Sequence, residues 1–509
     1  MKRLTSGLAA ASILAIGALG CSGPQSADSP PDTILYNGNV ITVDPAFSHA
    51  QAVAITGDRF TAVGTDASIR DLAGPQTTQI DLSGRTVVPG LMDNHLHSAG
   101  GGPGVDLSNT RTLAEVLAAI GAWANESPPG ALVVTNRDWH EAQLREQRLP
   151  LRNDLDAVAP DNPVVVVRGG HHYILNTAAL ERWGIDESTV EPPGGQINRY
   201  PDGALNGELI DRAKDYVTFP SPPERSLEER IEAKIAEYQE LNAVGLTSVR
   251  HPGDLVGSYR VIQEMQRRGD LTMRVTFLLR YRGVEDIAEA IAATGVEPDE
   301  GDEWLKIGGA KLDVDGGFEG AWMREPYVEP WGRNGTFYGI NTMPPEVFTD
   351  TVLKLNEIGW RVSTHALGDA AIDLVLDGYE AAHAQAPITG KRWVIEHGFI
   401  PAADHFPRIR TLGVAVSAQN HLYVAGPTME KYWGRKRADW TTPIRTYLDE
   451  NIPVSGGTDA PVIPYPPLWV IYHFVTRDTL SGGVFGADQR VSREEALRLV
   501  TINNAYLTF

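Results

Sequence analysis

Five residues of ligand or acid–base type stand at the ends of otherwise apolar runs in this chain, His95, His97, His365, His397 and Asp459, and a sixth, Lys311, lies within one. His95 and His97 lie two positions apart, so on an extended strand both side chains project from one face. Four imidazoles and a carboxylate converging on one place suit a borderline divalent cation such as zinc. Each signal alone is weak, because H-x-H arises by chance and a histidine at a strand end is commonly just hydrogen-bonded. Their repetition carries the weight, since packing alone favours Val, Ile and Leu at such positions.

The runs that carry these residues number eight: 86–97, 245–251, 273–280, 304–316, 360–369, 393–398, 412–419 and 452–461. Amphipathic segments such as Leu227–Leu241 and Pro345–Ile358 separate them. Strand–helix alternation of this kind implies parallel βαβ units, and eight of them predict an α/β fold, a (β/α)8 TIM-like barrel. In such a barrel the C-terminal ends of the strands share one mouth, which is where the six residues fall. Residues 33–88 read instead as short β-rich runs broken by Asn37-Gly38 and Gly57-Asp58, a small N-terminal domain of β-sandwich type. The barrel is then assigned to 89–509. Residues 98 to about 225 exceed an ordinary βα connection and hold strand-like runs of their own at 131–135 and 163–169. They are read as an insertion after the first barrel strand, a lid or wall at the mouth.

The segments DNHLH after VVPGL, then KLDVDG, THALGD, IEHG and GGTDAP, come in an order that resembles the amidohydrolase superfamily. The branch they are most similar to is the one typified by N-substituted formamide deformylase, amidohydrolase family 3. The resemblance runs from about Thr33 to the end, including GHHYILNTAAL and GGQINRYPDGALNGELI in the insertion. It implies a metal-dependent hydrolase of a C–N amide-type bond, an N-acyl or N-formyl amine, working through a metal-bound hydroxide. Residue by residue it implies His95 and His97 on one ion, His365 and His397 on a second, and a carbamylated Lys311 bridging both. Asp459 would bind the first ion and shuttle the proton, making it the catalytic residue. A carbamate is an anionic oxygen bridge where an ammonium is no ligand at all, and paired cations of this kind acidify a shared water. Lys306 competes for the bridging role, but Lys311 holds the motif position, at even spacing from Asp313 and Asp315.

Other polar residues leave two readings open. His171, Asn176 and Arg199 match the branch segments and are candidate substrate contacts, as is Glu208, or they are loop scaffolding. The run from Arg137 to His140 lines the mouth or is an ion-paired turn. His251 orients a metal ligand. Trp322, Tyr327, Trp331 and Trp433 form an aromatic acyl or aryl pocket, or ordinary loop packing. His49, His383 and His405 are expected to face solvent.

The chain of 509 residues carries 44 Lys and Arg against 65 Asp and Glu, a formal charge of −21, which excludes nucleic acid as a natural partner. The single cysteine excludes an internal disulfide framework and a cysteine-based zinc cluster. That residue, Cys21, follows a positively charged start and an apolar stretch, Leu8 to Leu19, too short for the ~20 residues that span a bilayer. Ala18-Leu19-Gly20-Cys21 resembles a lipobox, so 1–21 is read as a lipoprotein signal and 22–32 as a disordered tether. The expectation is an exported, bacterial envelope enzyme on the periplasmic face, membrane-attached only through lipid on Cys21; an ordinary signal or a buried free cysteine are the alternatives. A homo-oligomer is compatible with this. The chain stops inside the helix after the eighth strand, where relatives continue with strands that complete the small domain, so truncation or an incomplete β-domain is expected. Rivals to amide hydrolysis are an esterase, lactonase or cyclic-amide hydrolase, and a non-catalytic metal-holding envelope lipoprotein. A glycosidase would need paired carboxylates, for which Asp315 and Glu396 are the candidates.

Overall fold

A computed structural model describes residues 29–220, 224–281 and 286–508. The signal and Cys21 lie outside the described residues. The chain divides into two units at Val88/Pro89. No helix among the described residues is long and apolar enough to cross a membrane.

The first unit holds two sheets. One orders the strands Arg59–Gly64, Ala52–Thr56, Thr33–Tyr36 and Thr78–Asp81; the other orders His49–Ala50, Asn39–Ile41 and Thr86–Val87. Gly57-Asp58 turns a hairpin, with Gly57 at φ 58°. Asn37-Gly38 does something different: it passes the chain from one sheet to the other, with Asn37 left-handed at φ 57° and its amide donating to Asp81. A short polar side chain tolerates that conformation because it hydrogen-bonds locally. Ile34, Ala52, Ala54 and Ile69 make this unit's core.

The second unit is built on eight parallel strands, numbered here within the barrel: β1 (Leu91–Asp93), β2 (Leu246–Gly253), β3 (Arg274–Arg280), β4 (Leu305–Asp313), β5 (Val362–Ala366), β6 (Val394–His397), β7 (Ala415–Gln419) and β8 (Val454–Gly457). Each coincides with one of the eight apolar runs. Such strands are covered on both sides, so they read as continuous hydrophobic stretches rather than alternating ones. Helices separate them, and their ends are fixed by local chemistry. Ser226 and Glu229 form a capping box before Leu227–Ala243, while Gly269 and Gly413 end two other helices in the left-handed region. Beyond the regular strands, β8 meets β1 through Asp459 N–H to the His95 carbonyl (2.7 Å) and His97 N–H to the Ala460 carbonyl (2.8 Å). Gly457 permits this approach, because a Cβ there would stand 2.2 Å from Asn94 Oδ1.

The insertion forms a five-stranded sheet of its own, in the order Gly195–Arg199, Leu205–Asp211, His172–Leu175, Val164–Arg168 and Val133–Val134. Two apolar clusters flank it. A buried ionic cluster ties it to the barrel loops: Arg168 pairs with Glu141 at 3.0 Å and with Glu319, His172 faces Glu208 at 3.2 Å, and Thr428 donates to Glu141 at 3.0 Å. Charges buried this deeply persist only when paired.

Candidate metal centre

Four of the expected residues meet at the mouth with one that the sequence reading missed. Donor atoms of His95, His97 and Asp459 lie within 4.8 Å of one another, and so do those of His397, His421 and Asp459. His95 Nε2 and His97 Nε2 approach Asp459 Oδ1 at 3.5 and 3.1 Å, and His421 Nε2 donates to Asp459 Oδ2 at 3.1 Å. His421 lies two residues past Gln419, the end of β7, outside a search confined to strand ends. Its signal was a ligand-type residue in the turn that opens the following helix.

The Nδ1 atoms of His95 and His397 are held elsewhere, which turns the Nε2 atom of each toward the site, whereas His421 Nδ1 is buried without a hydrogen-bond partner. His95 Nδ1 donates to Glu396 at 2.9 Å, and Glu396 is held in turn by Arg250 at 3.0 Å. His397 Nδ1 donates to Gln419 Oε1 at 2.6 Å. His251 donates to the Leu96 carbonyl at 3.0 Å, steadying the backbone between the two histidines that follow β1. Asp459 Oδ1, by contrast, is buried with no hydrogen-bond partner. A buried carboxylate oxygen left bare between two imidazole nitrogens fits a cation. His397 and Asp459 also hold left-handed backbones, φ 73° and 61°. Such conformations cost about 1–3 kcal/mol for non-glycine residues and persist where the surroundings over-determine them.

His365 and Lys311 line the same cavity but belong to a second group beside these. The His365 ring lies 4.6 Å from that of His397, its Nε2 donating to the Gly316 carbonyl at 3.1 Å. Lys311, 1% exposed, donates to Asp313 at 2.9 Å and to the Leu312 carbonyl at 3.1 Å; Asp313 is also forked by Arg280 at 2.8 Å. Burial pushes the Lys311 ammonium below its usual range, opposed by Asp313. Burial and neighbouring positive groups likewise hold His365 well below an ordinary histidine, and burial dominates at His397. Neutral imidazoles are the ligating form. Burial alone would raise Asp459, but the His421 hydrogen bond and the imidazoles of His97 and His95 beside it hold it well below the usual carboxylate range.

Of the substrate candidates, His171 comes to the cavity, its Nδ1 on Asp211 at 2.5 Å and its ring stacked on His365 at 5.5 Å. Asn176 and Arg199 do not. Asn176 is fully buried, caps the helix Thr177–Arg182, accepts from Val164 N–H at 2.9 Å and donates to the Ala159 and Asn162 carbonyls. Arg199 is exposed and donates to the Gly203 and Glu187 carbonyls, closing a hairpin. Of the two readings of the loop aromatics, packing is the one that holds. Tyr327 and Trp433 are buried in the core under the loops, both donating to the Phe318 carbonyl. Trp331 packs on Tyr432, and Trp322 gives its backbone N–H to Asp315. None of the four lines the principal cavity. Aromatic side chains of that loop bury one another, and the cavity's aromatic wall is Trp123, Tyr173 and Phe219 from the insertion. His405, expected in solvent, is buried, with Nε2 on Asp373 at 3.0 Å. The glycosidase pair is spent elsewhere: Glu396 on His95 and Arg250, and Asp315 on the N–H groups of Trp322, Leu367 and Gly368.

The principal cavity measures about 840 Å³, with the metal-type residues at its floor and the insertion as its upper wall. A second cavity of about 400 Å³ adjoins it across Pro461 and Val462, lined by Trp139, His140, Tyr423 and Trp469.

An eight-stranded parallel barrel with this constellation at its strand ends defines a metal-dependent hydrolase. The profile of the amidohydrolase family matches residues 78–509, and the chain belongs to that family. It is 32% identical to N-substituted formamide deformylase of Arthrobacter pascens, over 93% of this chain and 89% of that one. Protein LONG AFTER FAR-RED 3 of Arabidopsis thaliana is 28% identical over 94% of this chain and 84% of that one. Among solved structures, an uncharacterized metal-dependent hydrolase from Pyrococcus furiosus shares the fold, with TM-score 0.65 at 24% identity, covering 94% of each chain.

Proposed function

We propose that this amidohydrolase cleaves the C–N bond of an N-acyl or N-formyl amine, with a zinc ion held by His95, His97 and Asp459. The observation that carries the reading is the bare, buried Oδ1 of Asp459 facing the Nε2 atoms of both histidines. A divalent ion bound there polarises a carbonyl oxygen and lowers the pKa of water. The chain's own residues do the rest. Glu396 and Gln419 orient His95 and His397, and Asp459 takes a proton from the attacking water and returns it to the leaving nitrogen. His421 keeps Asp459 in position through its hydrogen bond to Oδ2. His171 borders the floor where the acyl group would lie.

In the fuller form of this proposal His365 and His397 would hold a second ion, and a carbamylated Lys311 would supply an anionic oxygen ligand. The burial of Lys311 beside His365 supports it, because a buried amine gains by becoming part of an anionic bridge between cations. The Lys311–Asp313 pair favours a simpler form, with one ion and an unmodified lysine. The intact mass of the native protein separates them by one carbon dioxide.

Bond type is tested with N-formyl and N-acetyl amines beside esters, lactones and cyclic amides of matched bulk. The reading expects the amides to be the best substrates. Ester or lactone turnover exceeding them would assign the rival chemistry, and no turnover at full metal loading would leave a metal-holding protein.

A further inference from the structure

The principal cavity carries the opposite charge to the chain that builds it. The sequence has 65 acidic residues against 44 basic ones. Yet among the described residues the cavity lining has a single carboxylate, Asp459, against Arg137, Lys214, Arg280 and Lys311. Two of these cations already share a partner, since Arg280 forks Asp313 at 2.8 Å and Lys311 reaches it at 2.9 Å. The other two belong to the insertion. Arg137 is exposed, donates to the Gly101 carbonyl at 3.4 Å and makes no ion pair among the described residues. The acid beside it in sequence, Asp138, lines the neighbouring cavity instead. Lys214 sits in the turn Arg212–Tyr216, its ammonium donating to the Gly170 carbonyl at the cavity wall and lying 5.2 Å over the Tyr173 ring. Between these cations and the floor, the wall is apolar: Trp123, Leu132, Val134, Val167 and Phe219.

We infer that the substrate is an anionic amide, an N-acylated amine whose apolar or aryl body carries a carboxylate. This rests on the hydrolase reading above. The body lies along the insertion's apolar wall, and the carboxylate is received by Arg137 and Lys214. A carboxylate entering a cavity loses water and must regain partners, and a guanidinium offers it a planar, charge-assisted fork. A chain of formal charge −21 repels anions on average, which sets this cationic cavity apart. The two cations therefore select the substrate and fix which end of it faces Asp459.

The test uses the metal-loaded full chain and two substrates of one shape, N-formyl para-aminomethylbenzoate and N-formyl para-methylbenzylamine. The expected result is a kcat/KM at least about tenfold higher for the carboxylate, carried mainly in KM and shrinking as salt is raised. Arg137→Gln narrows that ratio, and Arg137→Glu turns it in favour of the uncharged member. Equal turnover of both by the wild type, or an unchanged ratio in both variants, overturns the inference while leaving amide hydrolysis standing. Failure to hydrolyse either substrate overturns the hydrolase reading and the inference with it.

Discussion

Asp459 is asked to do two things: its Oδ1 faces two imidazole nitrogens, and its Oδ2 is held by His421. Asp459→Asn keeps the shape and the hydrogen bond but loses the proton acceptor. It is expected to lower kcat by about 10²–10⁴-fold, with His95 and His97 still retaining metal. Elemental analysis and steady-state rates on one preparation check both halves, and unchanged turnover would refute the role. At this scale much was legible. His95, His97, His397 and Asp459 announce themselves because a ligand-type residue has no packing reason to end an apolar strand. What sequence could not separate was a carboxylate that reacts from one that holds its neighbour. Glu396 and Asp315, the pair a glycosidase would need and one that leaves four histidines unexplained, are hydrogen-bond anchors, as the partners folding brings to them show. His421 escaped because its position is set by a turn rather than by strand periodicity.

The eight barrel strands were readable for a reason of solvent exposure: buried on both sides, each is an unbroken apolar run. The insertion was only partly so. Two of its strands, Val133–Val134 and Val164–Arg168, sit in valine-rich runs, whereas Gly195–Arg199 and Leu205–Asp211 mix glycine and polar residues and pair through hairpins. The sequence left Asn176 open between substrate contact and scaffolding, and the second holds, since its side chain serves three strand and helix ends at once. Asn176→Ala removes a helix cap and strands the buried Val164 N–H, and should cost about 2–3 kcal/mol. That is expected as a fall of several degrees in Tm, with the rate per folded molecule preserved because Asn176 lines no part of the principal cavity. A lost rate without a lost Tm would put it back among the substrate contacts. Arg168 marks the complementary risk, since its guanidinium is shared by Glu141 and Glu319 at the seam between insertion and barrel.

For the molecule as a whole, charge and tether make one argument. A formal charge of −21 offers anionic membranes no attraction, so attachment to a membrane needs acyl chains on Cys21. Expressed in a bacterial host, the Cys21→Ser chain is expected to move from the membrane fraction to the soluble one; retention at the membrane would reject lipid on that residue. The central claim, however, is that an ion held at the barrel mouth makes this chain a hydrolase. Its most direct test is one preparation measured three times, for metal content and N-formyl amine hydrolysis, as purified, after chelator dialysis and after zinc is restored. The account predicts at least one divalent ion per chain, activity that disappears with it, and recovery on its return. A metal-free protein that hydrolyses the amide undiminished would contradict it.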